Sequence, residues 1–231
     1  EQAVEGEFPL TARQYKFFDD NFINSNHWNR QFSFDVEKKI SINALEKAFN
    51  QVLQHHDALR VSFLQKEKAE WVQICQPISE LKQAVFSYDL SNQKCSEQQH
   101  SMRRLILEGH QSIRLDRAPL IKAFYFKLDN KAGSLVIISH HLLLDMVSSR
   151  IVFEDLMKSY EYLRRGLTCK LPAKTSSLKQ WTEYLQSYSL TGNFKQAINY
   201  WGNFPDRSEP KLSLDKGFNQ SLNIESSAKT I

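Results

Sequence analysis

Residues 119–141, PLIKAFYFKLDNKAGSLVIISHH, carry the pattern that most restricts the fold. Two apolar runs, PLIKAFYFKL and GSLVIISHH, flank the turn-forming DNKAG. Both are short and rich in β-branched and aromatic residues, which predicts strands. A Gly-containing connection of this length predicts a hairpin. The rest of the chain must then supply layers that cover the pair. Thr11 is a candidate N-cap for a helix through Phe22, with Tyr15, Phe18 and Phe22 on one face. The stretch 27–36 reads as a strand. Ser41 caps a helix in which Leu45, Ala48, Phe49 and Leu53 recur at helical spacing. ALRVSF and WVQICQ read as a hairpin-like pair of strands, and AVFSYDL as another strand. Residues 94–110 form an amphipathic helix with Met102, Leu105 and Ile106 inward. A further helix spans 147–165 and ends near Gly166. LPAKTSS is a loop, followed by helices over 177–188 and 193–203. The tail from Pro205 is polar, and SLNIESSAKTI reads as the start of a new strand. Strands and helices mix without strict βαβ repetition, so the expected class is α/β (α+β), a mixed sheet flanked by helices.

Composition agrees with one large domain or one lobe of a bigger one. The chain has 231 residues, 41% hydrophobic and 12% aromatic, so it can bury a sizeable core. Only 7 Gly and 6 Pro argue against a loop-rich or fibrous protein. The net charge of +4 comes from interspersed charges, without the basic stripe of a nucleic-acid binder. No apolar run approaches the roughly 20 residues that span a bilayer. No secretory signal region opens the chain, and no CxxC pair occurs. Cys75, Cys95 and Cys169 read as free thiols of a reducing cytoplasm. The first residue is Glu rather than Met, as expected of a segment from a longer chain. No GxGxxG, P-loop or GxSxG motif is present.

The chemistry concentrates in SHHLLLDMVSSR, residues 139–150. Side chains alternate along a strand, so Ile137, Ser139 and His141 point one way and Val136, Ile138 and His140 the other. One histidine of the pair can therefore face a given cavity. A neutral imidazole is the default general base near neutral pH. Asp145 lies in the turn before the next helix, where a carboxylate accepts backbone N–H groups. It could also pair with a buried arginine. Three readings remain open on spacing alone: a polar strand end with a helix cap, a metal site, and a single-histidine base. Divergent histidines, with no third ligand at suitable spacing, weigh against the metal. Elsewhere His55 and His56 sit at a helix end, where the dipole explains them. His27 and Trp28 read as strand packing. Ser148 and Ser149 could cap or back-bond a helix start.

HHLLLDMVS resembles the HHxxxDG motif of the condensation-domain superfamily of nonribosomal peptide synthetases, which shares the fold of chloramphenicol acetyltransferase. PLTARQYKFF is similar to that family's opening motif, and HHDALRVSF to its second. The resemblance covers residues 8 to 200. Three segments, NSNHWNRQF, VSSRIVFEDL and LPAKTSSLKQW, are similar to the epimerization branch, with a serine in place of its usual Trp in the second.

The resemblance implies a lobe at 1–204, with 205–231 as the inter-lobe linker and start of a second lobe. It implies His141 as the catalytic histidine, exchanging the Cα proton of an aminoacyl or peptidyl thioester. His140, Asp145 and Arg60 would support the site, with Arg60 paired to Asp145. Met146 and Ser148 would line the substrate tunnel, and Met146 stands where the family has Gly. The phosphopantetheine would belong to a carrier protein, so no cofactor or metal of the chain's own is implied. Implied partners are that carrier, the second lobe and other synthetase modules, with no nucleic acid and no membrane. Epimerization also uses a glutamate of the second lobe that nothing here matches, so the chain alone is expected to be inactive. Amide- or ester-forming condensation, and an inactive docking module, are the alternatives.

Overall fold

The structure, a computed structural model, describes residues 4–36, 40–67, 70–129 and 132–203. The expected hairpin is its centre. Strands β6 (Ile121–Lys127) and β7 (Gly133–His140) pair antiparallel, with Ala123 opposite Ile137 and Tyr125 opposite Leu135. Strand β2 (Asn29–Val36) pairs antiparallel with the other edge of β7, with Asn29 opposite His140. Strand β5 (Val85–Asp89) lies parallel to β6. Parallel neighbours need a crossover, and helix α3 (Cys95–Gln111) lies between them in the chain. The resulting order is β2-β7-β6-β5, the mixed sheet that the sequence predicts.

Alternation along β7 sorts the core into two layers. Leu135 and Ile137, with Ile121, Ala123 and Tyr125, pack against helices α2 (Ile42–His55) and α4 (Met146–Arg164). Leu45, Ala48, Phe49 and Val52 of α2 meet Val152 and Leu156 of α4 there. On the other face Val136 and Ile138, with Phe124 and Phe126, pack against Leu105 of α3 and Phe17 of helix α1 (Ala12–Asp19). A small sheet closes this side. Its strands are β1 (Gly6–Phe8), β3 (Val61–Gln65) and β4 (Trp71–Cys75), in the order β1-β4-β3. All eight residues of β7 are buried. Each such Val, Leu or Ile contributes about 1.5–3 kcal/mol by leaving water.

Local signals set most boundaries. Thr11 and Gln14 form a reciprocal capping box at α1, and Ser41 caps α2. α4 ends before Gly166, whose φ of 74° supplies the left-handed turn. Helices α5 (Leu178–Ser189) and α6 (Gly192–Gly202) follow the irregular segment 167–177. Two expectations shift. α1 stops at Asp19 rather than Phe22, because Asn21 turns to a φ of 50°. Its inward face then carries Gln14 and Phe17, while Tyr15 is exposed. Gln14 is held inside by its bond to Gln73 Oε1 at 3.0 Å. β1 is too short for a sequence pattern, and its pairing with β4 makes it a strand. The tail from Pro205, with the expected strand in SLNIESSAKTI, lies outside the described residues.

Gly109 marks the close approach of α3 to the sheet. A Cβ there would stand 2.7 Å from Phe124 Cζ and 3.0 Å from Ile138 Cδ1. Phe124 is itself buried and stacked on Phe86. Helix propensity alone favours Gly109→Ala by about 1 kcal/mol. Overpacking wins instead, and the variant is expected to lose about 1–3 kcal/mol in chemical denaturation. An unchanged or raised denaturation midpoint would contradict the packing.

Candidate active site

The paired histidines end β7, and the structure separates them. His140 is fully buried, edge-on to the Phe17 ring at 5.6 Å. Its Nε2 lies 2.8 Å from the Ser25 carbonyl, so that nitrogen carries the hydrogen and donates. Its Nδ1 accepts the Leu142 N–H at 3.2 Å. Both ring nitrogens are thus used by backbone, which fixes the tautomer and pins the turn after β7. Burial, helped by neighbouring His141 and opposed by the Ser25 carbonyl, lowers the His140 pKa to about 4.

His141 takes the other direction. Its backbone N–H donates to Trp28 O at 2.8 Å. Its side chain lines a cavity of about 340 Å³ with Gln14, Phe17, Trp28, Leu143 and Leu178. Arg13 and Lys16 complete one wall. No described residue hydrogen-bonds the ring, which leaves both nitrogens available to a ligand. Thr11, Gln14 and Phe17 come from α1 and its cap, so the capping box that starts that helix also shapes the cavity. Sequence reasoning missed these wall residues, although the PLTARQYKFF motif carries them. Trp28, read chiefly as strand packing with substrate contact the lesser alternative, both packs on Phe22 and lines the cavity.

Asp145 is the N-cap of α4, as its position predicts. Its Oδ1 accepts the Ser148 N–H at 2.7 Å and the Ser148 hydroxyl at 2.6 Å, and Ser148 Oγ accepts the Asp145 N–H at 2.8 Å. The Ser148 hydroxyl and amide hold this carboxyl below the usual carboxylate range. Met146 is the first residue of α4 and 66% exposed. Among described non-glycine residues only Asn21 has a positive φ, so the backbone at 146 makes no demand for glycine. Neither Met146 nor Ser148 is among the described residues that line the His141 cavity, contrary to the tunnel-lining expectation.

The pairing of Arg60 with Asp145 is not formed. Arg60 is only 1% exposed, in a 3₁₀ turn rather than a strand. Its two terminal nitrogens donate to Asp57 Oδ1 at 3.1 and 2.9 Å, and also to Leu53 O and Val4 O, while Nε donates to Gln76 O. Lys174 Nζ reaches the same Asp57 oxygen at 3.1 Å. Asp57 is three residues from Arg60 and already inside, whereas Asp145 is exposed and occupied by its cap. Arg60 therefore ties together the end of α2, the chain near β1 and the end of β4, and its partner Asp57 adds the 167–177 segment through Lys174. His56 likewise does more than face the helix dipole. Its Nε2 lies 2.8 Å from Asp155 Oδ2 of α4.

A family model for the condensation domain matches residues 4–231, and the chain belongs to that family. The epimerization domain from the third module of tyrocidine synthetase B superposes with a TM-score of 0.81 at 32% identity. That match covers 89% of this chain and 45% of the solved one. The starter condensation domain of rhizomide synthetase superposes at 0.71 with 21% identity, covering 84% and 47%, which shows a shared fold. Tyrocidine synthase 2 of Brevibacillus parabrevis is 35% identical over 200 residues, 87% of this chain and 6% of that protein. The resemblance read from the motifs, and the fold it implies, are borne out. The chain spans about half of the solved domains and a small part of the synthase. Among the described residues no helix is long and apolar enough to cross a membrane.

His140 makes stability depend on pH. Its neutral ring is favoured on folding, so the stabilisation is complete above the unfolded value of about 6.5. It is lost as pH falls toward 4. The loss amounts to about 3 kcal/mol across that window. Urea denaturation at pH 7 and pH 4.5 should show this drop in the parent and a smaller one in His140→Gln. Equal drops would remove His140 as the cause.

Proposed function

We propose that this chain is the N-terminal lobe of an epimerization-type domain, inverting the Cα of an aminoacyl or peptidyl thioester. The observation that carries the reading is His141, which lines a cavity of mixed polar and apolar walls with its ring nitrogens unengaged. The 32% identical epimerization domain supports it further. The thioester is held on the phosphopantetheine of a carrier protein, which enters the cavity beside α1. His141 takes the Cα proton from one face. A second acid, supplied by the other lobe, returns a proton to the opposite face and regenerates its own proton from His141 through solvent. Inversion needs both carriers, so the lobe acts within a two-lobed domain alongside other synthetase modules. His140 holds the turn that presents His141, Asp145 starts the helix that follows, and Arg60 braces the adjoining segments. A cytoplasmic setting fits the three free thiols.

Condensation is the second reading, supported by the family and by the starter condensation fold. In that chemistry His141 assists an attacking amine. An assay on a two-lobed domain with an L-aminoacyl carrier protein separates the two by product. A D-aminoacyl thioester supports epimerization, and an amide formed with an added acceptor supports condensation. His141→Ala should lower turnover about 10²–10⁴-fold, and full activity in that variant would sink both readings. The lobe by itself should give no turnover.

Met146 tests the remaining reading, an inactive docking module. Its exposure at the start of α4 keeps it off the cavity wall. Met146→Gly should therefore change turnover by less than about threefold, a barrier change under about 1 kcal/mol. Activity that appears only with glycine would identify Met146 as the block.

A further inference from the structure

We propose that His55, His56 and Asp155 form a zinc(II) site that clamps the C-terminal end of α2 to α4. Each offers one ligand atom, and the three atoms lie within 4.8 Å of one another. No other such trio is found among the described residues. His55 is the last residue of α2 and His56 its C-cap, while Asp155 comes from the middle of α4. Two imidazoles and a carboxylate are ordinary zinc donors at about 2.0–2.2 Å, which places tetrahedral ligand atoms about 3.4 Å apart. His56 Nε2 and Asp155 Oδ2 stand at 2.8 Å and must open slightly. His55 must close by no more than about 1.4 Å on that geometry.

Three features favour a bound cation over a plain hydrogen-bonded pair. The trio is half-buried, with His56 and Asp155 side chains 24% and 13% exposed, so it is shielded yet reachable. The ligands stand on two helices whose packing through Val52, Val152 and Leu156 fixes their spacing. The His56–Asp155 bond also leaves His55 over. No described residue hydrogen-bonds its ring, although it sits edge-on to His56 at 4.8 Å. Zinc would give that ring its partner. On coordination the His56 ring changes tautomer, its proton moving from Nε2 to Nδ1 through solvent, so that the freed Nε2 lone pair binds the metal. Lys174 is the nearby opposing charge, but its ammonium is committed to Asp57 and the Gln54 carbonyl. The trio shares no residue with the His141 cavity, so its role is to hold helices rather than to react. α4 begins five residues after His141, and a clamp on it steadies the turn that presents that histidine.

The test is zinc chloride titrated calorimetrically into the metal-stripped full chain, with cobalt(II) as the optical probe. Expected are one zinc per chain with a micromolar dissociation constant, a tetrahedral cobalt d–d band, and a raised Tm with metal. His55→Ala leaves the His56–Asp155 bond in place and should still fold. It and Asp155→Asn should each weaken zinc at least about tenfold, while His110→Ala should not. Absence of binding by the parent, or affinity unchanged in His55→Ala, overturns the proposal. So does affinity lost in His110→Ala, which would move the site to the His27–His110 pair, whose rings lie 5.7 Å apart.

Discussion

β7 is hydrogen-bonded along both edges and buried at every residue, and the other layers are placed by it. A strand with neighbours on both sides cannot slip by one residue without exchanging its two faces. Here that exchange would swap the layer of α2 and α4 for the layer of α1, α3 and the small sheet. Register is therefore strongly specified, and so is the direction of the side chains at the strand's end. The histidine pair inherits this. His140 goes inward and is consumed by two backbone contacts, and His141 is carried past the last ladder pair to the cavity.

The site is thus built by backbone satisfaction more than by side-chain charge. The Ser25 carbonyl and the Leu142 amide hold the His140 ring, Trp28 holds the His141 amide, and Ser148 closes the cap with Asp145. Each bond removes an otherwise unpaired polar group at a strand or helix end. The ionic element lies nearby. Arg60 is buried with full use of its nitrogens on Asp57 and three carbonyls. Removing Asp57 would strand a buried charge, a loss of roughly 3–5 kcal/mol. That interaction joins α2, the N-terminal segment and the 167–177 segment into one support.

Much of this was legible in the residues. Thr11, Ser41 and Asp145 are caps because their oxygens reach amides three residues on, a relation contained within one turn. The paired strands followed from two apolar runs and a short polar turn. The motif at 139–145 singled out His141, and the structure puts that ring in a cavity. The misses share a cause. Tyr15 and Phe17 are both aromatic on one short helix, and the choice between them came from Gln14 being held by Gln73, 59 residues away. β1 has three residues and exists through its partner β4.

What the sequence determined by itself is everything set by neighbours: periodicity, caps, turns, and the divergence of two adjacent strand histidines. What only the tertiary structure decided is who meets whom across the chain. Arg60 chose Asp57 over Asp145. The cavity around His141 drew its wall from α1, and His56 found Asp155 at a separation of 99 residues. The physical reason is range. Backbone geometry and side-chain alternation act over a few residues, whereas the partner of a charge depends on which surfaces the packed layers bring together. No spacing in the chain records that.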